Sequence, residues 1–464
     1  MRRAALLVVL AACWSPEADL ATCVAEQRCD PPAGSGGGVA GSGGGVAGNG
    51  GGVAGNGGGV AGGSAGGSTG GGSAGGAAGG MAGGSAGGSA GGAAGAGGGA
   101  VIEDDGGTCI VNGAWSWPCV DAELARSEDA GYRALNPTVE LWRAPDAGSS
   151  VTGQRWAGAV YTPLGEVACM PYNARRVLFI SPDGGMRLGP PLANAFVYNG
   201  GFYGRDGNIY GIPSTSQNAF IIRIDPATGA AMDESLPSGP SIGTDPRWCG
   251  AVSDVFGRAW LTPYGSSTIA RFEPGVGSQL LPSPVDGGMR KWCTGSLLPD
   301  GRIFAVPQVQ ESVLAIDPFD GGARAIPTGI SGARQGGAVL ARNGTLYGVP
   351  QGYTDILAIA PQGTASSVYS ANSQYNGGAL SPEGRVVLVP EQANDVLVYS
   401  PFDGQVGRFA TGQAGTTRWQ GAATGKDGRV YACPHNADSV LVIDTTANRA
   451  LPDRVLLSPW FNKR

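Results

Sequence analysis

Five basic residues each stand directly before a recurrent residue: Arg155 before Trp156, Arg247 before Trp248, Lys291 before Trp292, Arg334 before Gln335 and Arg418 before Trp419. At two further equivalent positions Tyr198 follows Val197 and Tyr375 follows Gln374. Cations beside large aromatic rings can hold an anionic or sugar-like ligand, through charge-assisted hydrogen bonds to its oxygens and stacking on its faces. The expected ligand-binding set is therefore Arg155, Trp156, Tyr198, Arg247, Trp248, Lys291, Trp292, Arg334, Tyr375, Arg418 and Trp419. The competing explanation is structural. These residues recur because a repeat recurs, and Glu311, Asp355, Asp395 and Asp438 in nearby loops neutralise the cations.

Catalytic chemistry has a thinner basis. His435 is the only histidine, directly after Pro434, and Glu391 and Glu311 are the acids nearest to it by loop position. A lone histidine is more often structural than catalytic, and no GxSxG, HExxH, P-loop or EF-hand pattern is present. His435 is the one candidate catalyst; no metal site and no cofactor is expected. The net charge of −6 gives no support for nucleic-acid binding. None of the nine cysteines falls in a CxxC zinc pattern.

The elements that must position these residues are repeats. Each recurrent residue stands the same distance before a proline: Trp156 before Pro171, Tyr198 before Pro213, Trp248 before Pro263, Trp292 before Pro307, Gln335 before Pro350, Tyr375 before Pro390 and Trp419 before Pro434. Between them lie a small pair, such as Gly158-Ala159 or Gly200-Gly201, and a glycine present in every copy: Gly165, Gly207, Gly257, Gly301, Gly344, Gly384 and Gly428. Asp206-Gly207, Asp300-Gly301, Asn343-Gly344 and Asp427-Gly428 are hairpin-turn dipeptides, so the aromatic opens a first strand and a segment such as IYGIP is its hairpin partner. Proline lacks the N–H a continuing ladder needs and so ends the second strand. The small pair suits an innermost strand, where neighbouring strands crowd the axis. Tyr210, Trp260, Phe304, Tyr347 and Tyr431 are expected to pack between units. A third strand follows in every copy, as in FIIRI at Phe220 or VLVI at Val440, then a variable segment. Four short strands per unit and seven units predict an all-β fold, a seven-bladed β-propeller over 156–464. In the lead-in segment 101–155, Asp121–Ala130 reads as a short helix. Val139–Trp142 reads as an extra strand completing the last blade, the alternative being Arg454–Leu457.

The Gly-His and Trp-Asp marks of WD40 repeats are missing. The second unit, with DGNIYGIP and RIDPATG (Arg223–Gly229), resembles the virginiamycin B lyase-like and YVTN/NHL-like seven-bladed propellers, over roughly Trp156–Trp460. In the lyase-like family a histidine and a metal-assisted mechanism carry catalysis. That resemblance implies an alternative function, a lyase-like enzyme using His435 and a loop acid.

The N-terminus reads as targeting sequence. Arg2 and Arg3 precede a short apolar run, Ala4–Leu10, and Leu10-Ala11-Ala12-Cys13 resembles the lipobox of bacterial lipoproteins. The resemblance implies a signal peptide over 1–12, lipidation of Cys13 and anchoring in a membrane through its acyl chains. Trp14, in place of Asp, implies the outer membrane, facing the periplasm or the cell surface. Residues 13–32 form a lipidated N-terminal segment. Residues 33–100 are almost wholly Gly, Ala, Ser, Val and Asn, with GSGGGVA and GNGGGVA in tandem. Such side chains cannot offset backbone ordering, so a flexible linker is expected, spanning on the order of 45 Å. The remaining eight cysteines suit an oxidising compartment, with Cys23/Cys29 and Cys109/Cys119 close enough in sequence to close small loops. The sequence thus points to a lipid-anchored envelope protein that binds or scaffolds, its partner a glycan, an anionic small molecule or an envelope protein.

Overall fold

A computed structural model describes residues 109–129, 137–147, 153–194, 197–215, 220–236, 246–352, 355–445 and 450–461. The signal peptide, Cys13, the Cys23/Cys29 pair and the glycine-rich linker lie outside these residues.

Seven four-stranded antiparallel sheets form the blades of a β-propeller. The first blade is Trp156–Tyr161, Val167–Pro171, Leu178–Ile180 and Met186–Leu188. The inner strands of the other six open at Tyr198, Trp248, Trp292, Gln335, Tyr375 and Trp419, and every second strand ends on its proline. The seventh blade has only three strands from its own repeat. Its fourth is Thr138–Arg143, paired along its length with Ser439–Asp444, so the strand expected at Val139–Trp142 closes the ring. The rival segment is instead a short helix, Asp453–Leu456. The lead-in helix runs Trp117–Asp129, with Pro118 in its first turn, where a missing N–H costs nothing.

The core lies between blades. Val160, Met170 and Phe179 of blade one meet Tyr198, Ile209 and Ile222 of blade two, and the same interleaving joins blades two and three. Both faces of a blade are therefore covered, which is why second strands such as IYGIP are apolar throughout. Tyr210 packs on Phe272 of the next blade with ring centroids 5.3 Å apart, and Tyr347 on Tyr399 at the same distance.

Every inner strand carries a bulge at the small pair. Trp156 faces Pro171, but Ala159 faces Cys169, so one extra residue is absorbed between them. The other six inner strands shift likewise. Gly158, at φ +84°, fills the bulge, and a Cβ there would lie 2.3 Å from the Cα of Gly200 in the next blade. The backbones meet with no room for a side chain.

Three disulfides form among the described residues. Cys109–Cys119 closes the small loop expected. Cys249–Cys293 joins the inner strands of blades three and four, and Cys169–Cys433 joins blade one to blade seven.

Candidate functional site

The two ends of the propeller differ. At the hairpin-turn end, the lead-in segment and the C-terminal segment form a cap. Trp115 N donates to Val255 O, Arg205 Nη1 to Gly113 O, and Arg342 pairs with Asp121 at 2.6 Å. Arg454 pairs with Glu123 at 2.6 Å, and Trp117 packs edge-on against Trp460. Trp460 and Phe461 reach the ends of the inner strands beside Leu340, Leu380 and Thr424, and Trp460 Nε1 donates to Leu298 O. The candidates read from the sequence lie at the other end, the proline end.

At that end the aromatic ring is fully buried. Trp156, Tyr198, Trp248, Trp292, Tyr375 and Trp419 are each 0% exposed. Their polar atoms reach the third strand of the same blade, with one offset of twenty residues: Trp156 Nε1 to Arg176 O, Trp248 to Thr268 O, Trp292 to Ser312 O, Trp419 to Ser439 O, and Tyr375 Oη to Asp395 Oδ1. Gln335 reaches Asp355 O in the same way, which explains how an amide can replace a ring. Tyr198 differs, its hydroxyl accepting from Asn194. These side chains pin first strands to third strands and present no open face for stacking.

The cations divide. Arg155 Nη2 donates to Ala437 O of the preceding blade, and Lys291 Nζ to Ser266 O, the equivalent position, at 2.5 Å, and to Val285 O at 3.1 Å. Arg334 is exposed. Arg247 is 7% exposed and its Nε is buried without a hydrogen-bond partner. Arg418 is 2% exposed, with Nη1 on Gln413 O and with Nε and Nη2 buried and unpartnered. Burial pulls all four non-exposed cations below their ordinary pKa. Asp438 and Asp146 oppose it at Arg155, Asp286 at Lys291 and Asp395 at Arg418, while no acid opposes it at Arg247. Of the loop acids, Asp395 is held by Arg408 at 3.1 Å and by Tyr375 at 2.6 Å. Cations at the turn end show the contrast. Arg258, Arg302 and Arg429 each pair with an aspartate and donate to a proline carbonyl of the next blade.

His435 is 3% exposed. Its Nδ1 lies 2.9 Å from Trp156 O, and its ring packs edge-on against Tyr172. Among the described residues no group of three His, Cys, Asp or Glu side chains is placed to hold a metal.

Sequence reasoning missed a belt of amides. Gln420 Nε2 donates to Asn199 Oδ1 at 3.2 Å, reaching from blade seven to blade two. Asn376 donates to Glu391 Oε1, and Gln308 to Gln351 Oε1 and Gln335 O. The available signal was position: each follows directly on a recurrent first-strand residue or on a proline, where the neighbouring residues are buried.

Fold and site together define a seven-bladed propeller capped at its hairpin-turn end, with buried cations and amides at the proline end. No family model matches the chain, and no curated protein matches it closely enough to count. Among solved structures it is similar to a streptogramin B lyase, with 16% identity and a TM-score of 0.57, over 67% of this chain and 98% of that one. It is equally similar to a catalytically inactive virginiamycin B lyase from Staphylococcus aureus with quinupristin, at 14% identity and TM-score 0.57, over 67% and 100%. The extracellular domain of a hybrid two-component system from B. thetaiotaomicron matches at 13% identity and TM-score 0.50, over 68% of this chain and 44% of that one. At these identities the likeness is one of fold.

Proposed function

We propose that this protein is a binding module of the bacterial cell envelope, anchored by a lipid on Cys13, that takes an anionic or glycan ligand at its proline-end mouth. The observation that carries the reading is a pair of buried cations at the proline end: Arg247, whose Nε, and Arg418, whose Nε and Nη2, have no hydrogen-bond partner among the described residues. Buried charge without a partner is costly, and a site that receives an anion recovers that cost on binding. The surrounding amides suit hydroxyl and carbonyl groups of a polar ligand. Three disulfides support an oxidising compartment, and one similar solved structure is an extracellular domain. Among the described residues no helix is long and apolar enough to cross a membrane, so attachment falls to the lipid. The lyase-like alternative has less behind it, since His435 has Nδ1 committed to a backbone carbonyl.

The test is a glycan and anionic-metabolite binding screen on the full chain, repeated on Arg247→Ala. The expected result is a ligand whose affinity falls with added salt and drops by roughly 1.5–3 kcal/mol in the variant, the scale of a charge-assisted hydrogen bond. A variant that is less stable, with every screened compound silent on the wild type, overturns the reading.

A further inference from the structure

Arg418 is alone among the cations described above in having a two-donor edge buried and unpartnered. Nη1 is held by the Gln413 carbonyl, while Nε and Nη2 have no acceptor. Those two N–H groups leave the guanidinium from one side, parallel and in its plane, the geometry that grips two oxygens at once. Arg247 has only one such nitrogen, so it offers no equivalent edge.

The segment ahead of Arg418 packs on its stem and carries backbone strain. Thr411–Thr417 carries Gly412 at φ +69°, Gly415 at +132° and Thr417 at +53°. Thr417 is β-branched, and its side chain crowds the backbone in the left-handed region. A Cβ on Gly415 would sit 3.7 Å from Arg418 Cγ, so the segment lies directly over the arginine stem. The segment is tied at its ends, by Thr411 N and Oγ1 on Asn394 O and by Asn436 on the carbonyls of Thr416 and Thr417. Its middle is held to Arg418 through the Gln413 carbonyl.

We propose that Arg418 anchors a subsite for a small monoanionic carboxylate, which seats on the Nε–Nη2 edge; this rests on the binding reading above. The two parallel donors match the two oxygens of a carboxylate. The charge count favours a monoanion, since one guanidinium neutralises one charge. A phosphate dianion would bring an uncompensated charge into a desolvated place. Asp395, the acid whose field reaches Arg418, is engaged by Arg408 and Tyr375 and so does not close the edge itself.

Arginine Nε–H NMR on the full chain tests this without any variant. The Arg418 resonance is assigned through its own side-chain-to-backbone correlations. Sodium acetate, the bare carboxylate, is titrated at constant ionic strength, with sodium phosphate as the comparison. The Arg418 Nε–H signal is expected to move downfield and saturate with acetate, and to respond far less to phosphate. Calorimetry then compares D-galacturonate with neutral D-galactose; Arg418→Lys keeps the charge, removes the fork and should weaken galacturonate at least tenfold. An Arg418 signal that acetate leaves unmoved, or that phosphate moves as far, overturns the proposal, as does undiminished galacturonate binding by Arg418→Lys. If acetate fails while the wider screen still yields a ligand, only this subsite falls and the binding module stands. If both are silent, both fall.

Discussion

Cys169 of the first blade is disulfide-bonded to Cys433 of the seventh, their Cα atoms 5.7 Å apart across a sequence separation of 264 residues. The bond lies next to the blade that is completed by a strand from the other end of the repeats, so the seam of the ring is fastened once by hydrogen bonds and once covalently. A cross-link across so long a loop restricts the unfolded chain strongly. Replacing both cysteines by serine should cost about 3–5 kcal/mol, read as a lower denaturation midpoint. A midpoint within error of the wild type would show that Thr138–Arg143 holds the seam unaided.

The bulge glycines at the axis should be far less tolerant than the hairpin glycines. Gly158 and Gly207 have nearly the same φ, +84° and +86°, but a Cβ meets Gly200 Cα at 2.3 Å from the first and nothing within 4 Å from the second. Gly207→Ala should cost about 1–2 kcal/mol, the left-handed penalty alone. Gly158→Ala adds a backbone collision and should cost at least twice as much, or prevent folding. Equal losses in thermal melts would mean that the inner strands are not as tightly nested as described.

Tyr375→Phe separates a pin from a stacking platform. It keeps the ring and removes the hydroxyl's two hydrogen bonds, the one it donates to Asp395 at 2.6 Å and the one it accepts from Arg408 at 3.2 Å. Stability should fall by about 1.5–3 kcal/mol, as for a bond to a charged group, with ligand affinity unchanged. A loss of affinity at unchanged stability would put Tyr375 in the site.

Alkaline pH should unfold the protein cooperatively. Burial, helped by nearby carboxylates, pushes the phenols of Tyr161, Tyr210, Tyr375 and Tyr431 well above the ordinary range. Burial with Tyr399 beside it pushes Tyr347 up to about 12. With folded values above the unfolded value of about 10, the native state holds more protons than the unfolded state above that pH. The associated stability is fully present below pH ~10 and is lost as pH rises beyond it. Phenolate absorbance from these residues should appear together with the loss of β-sheet circular dichroism. Ionisation well before unfolding would contradict their burial.

Cys13→Ala should release the protein from the membrane fraction and abolish metabolic palmitate labelling, because the acyl chains supply the affinity. A wild-type protein that carries no label would remove the anchor from the proposed function.

The fold was legible because its marks are periodic. A proline that ends Pro171 or Pro434 in its strand does so through its own backbone, whatever surrounds it. Pairing partners were legible only where neighbours in sequence are neighbours in space, as for Cys109 and Cys119. Cys169 and Cys433 needed the ring itself. The lead-in helix begins ahead of the expected Asp121, because Trp117-Pro118 forms its first turn. The site was read less well for a physical reason. Residue type says that Trp156 can stack and that Arg155 can bind an anion, but not which groups the fold brings to them. The Arg176 carbonyl claims the first and the Ala437 carbonyl the second. The amides Asn199 and Gln420 carried no periodic mark, since alanine and cysteine occupy the same position in other blades.

Thr138–Arg143 also sets how the propeller responds to a pull on the chain. The strand lies against Ser439–Asp444 over all six residues. Tension applied to the chain ahead of Cys109 and drawn along this strand puts its rungs under force side by side, as in a lap joint, so they must break together. A joint peeled from one end would fail rung by rung at far lower force. Until this one shears, the pull unravels no blade, and when it does the Cys169–Cys433 bond still holds blade seven against blade one.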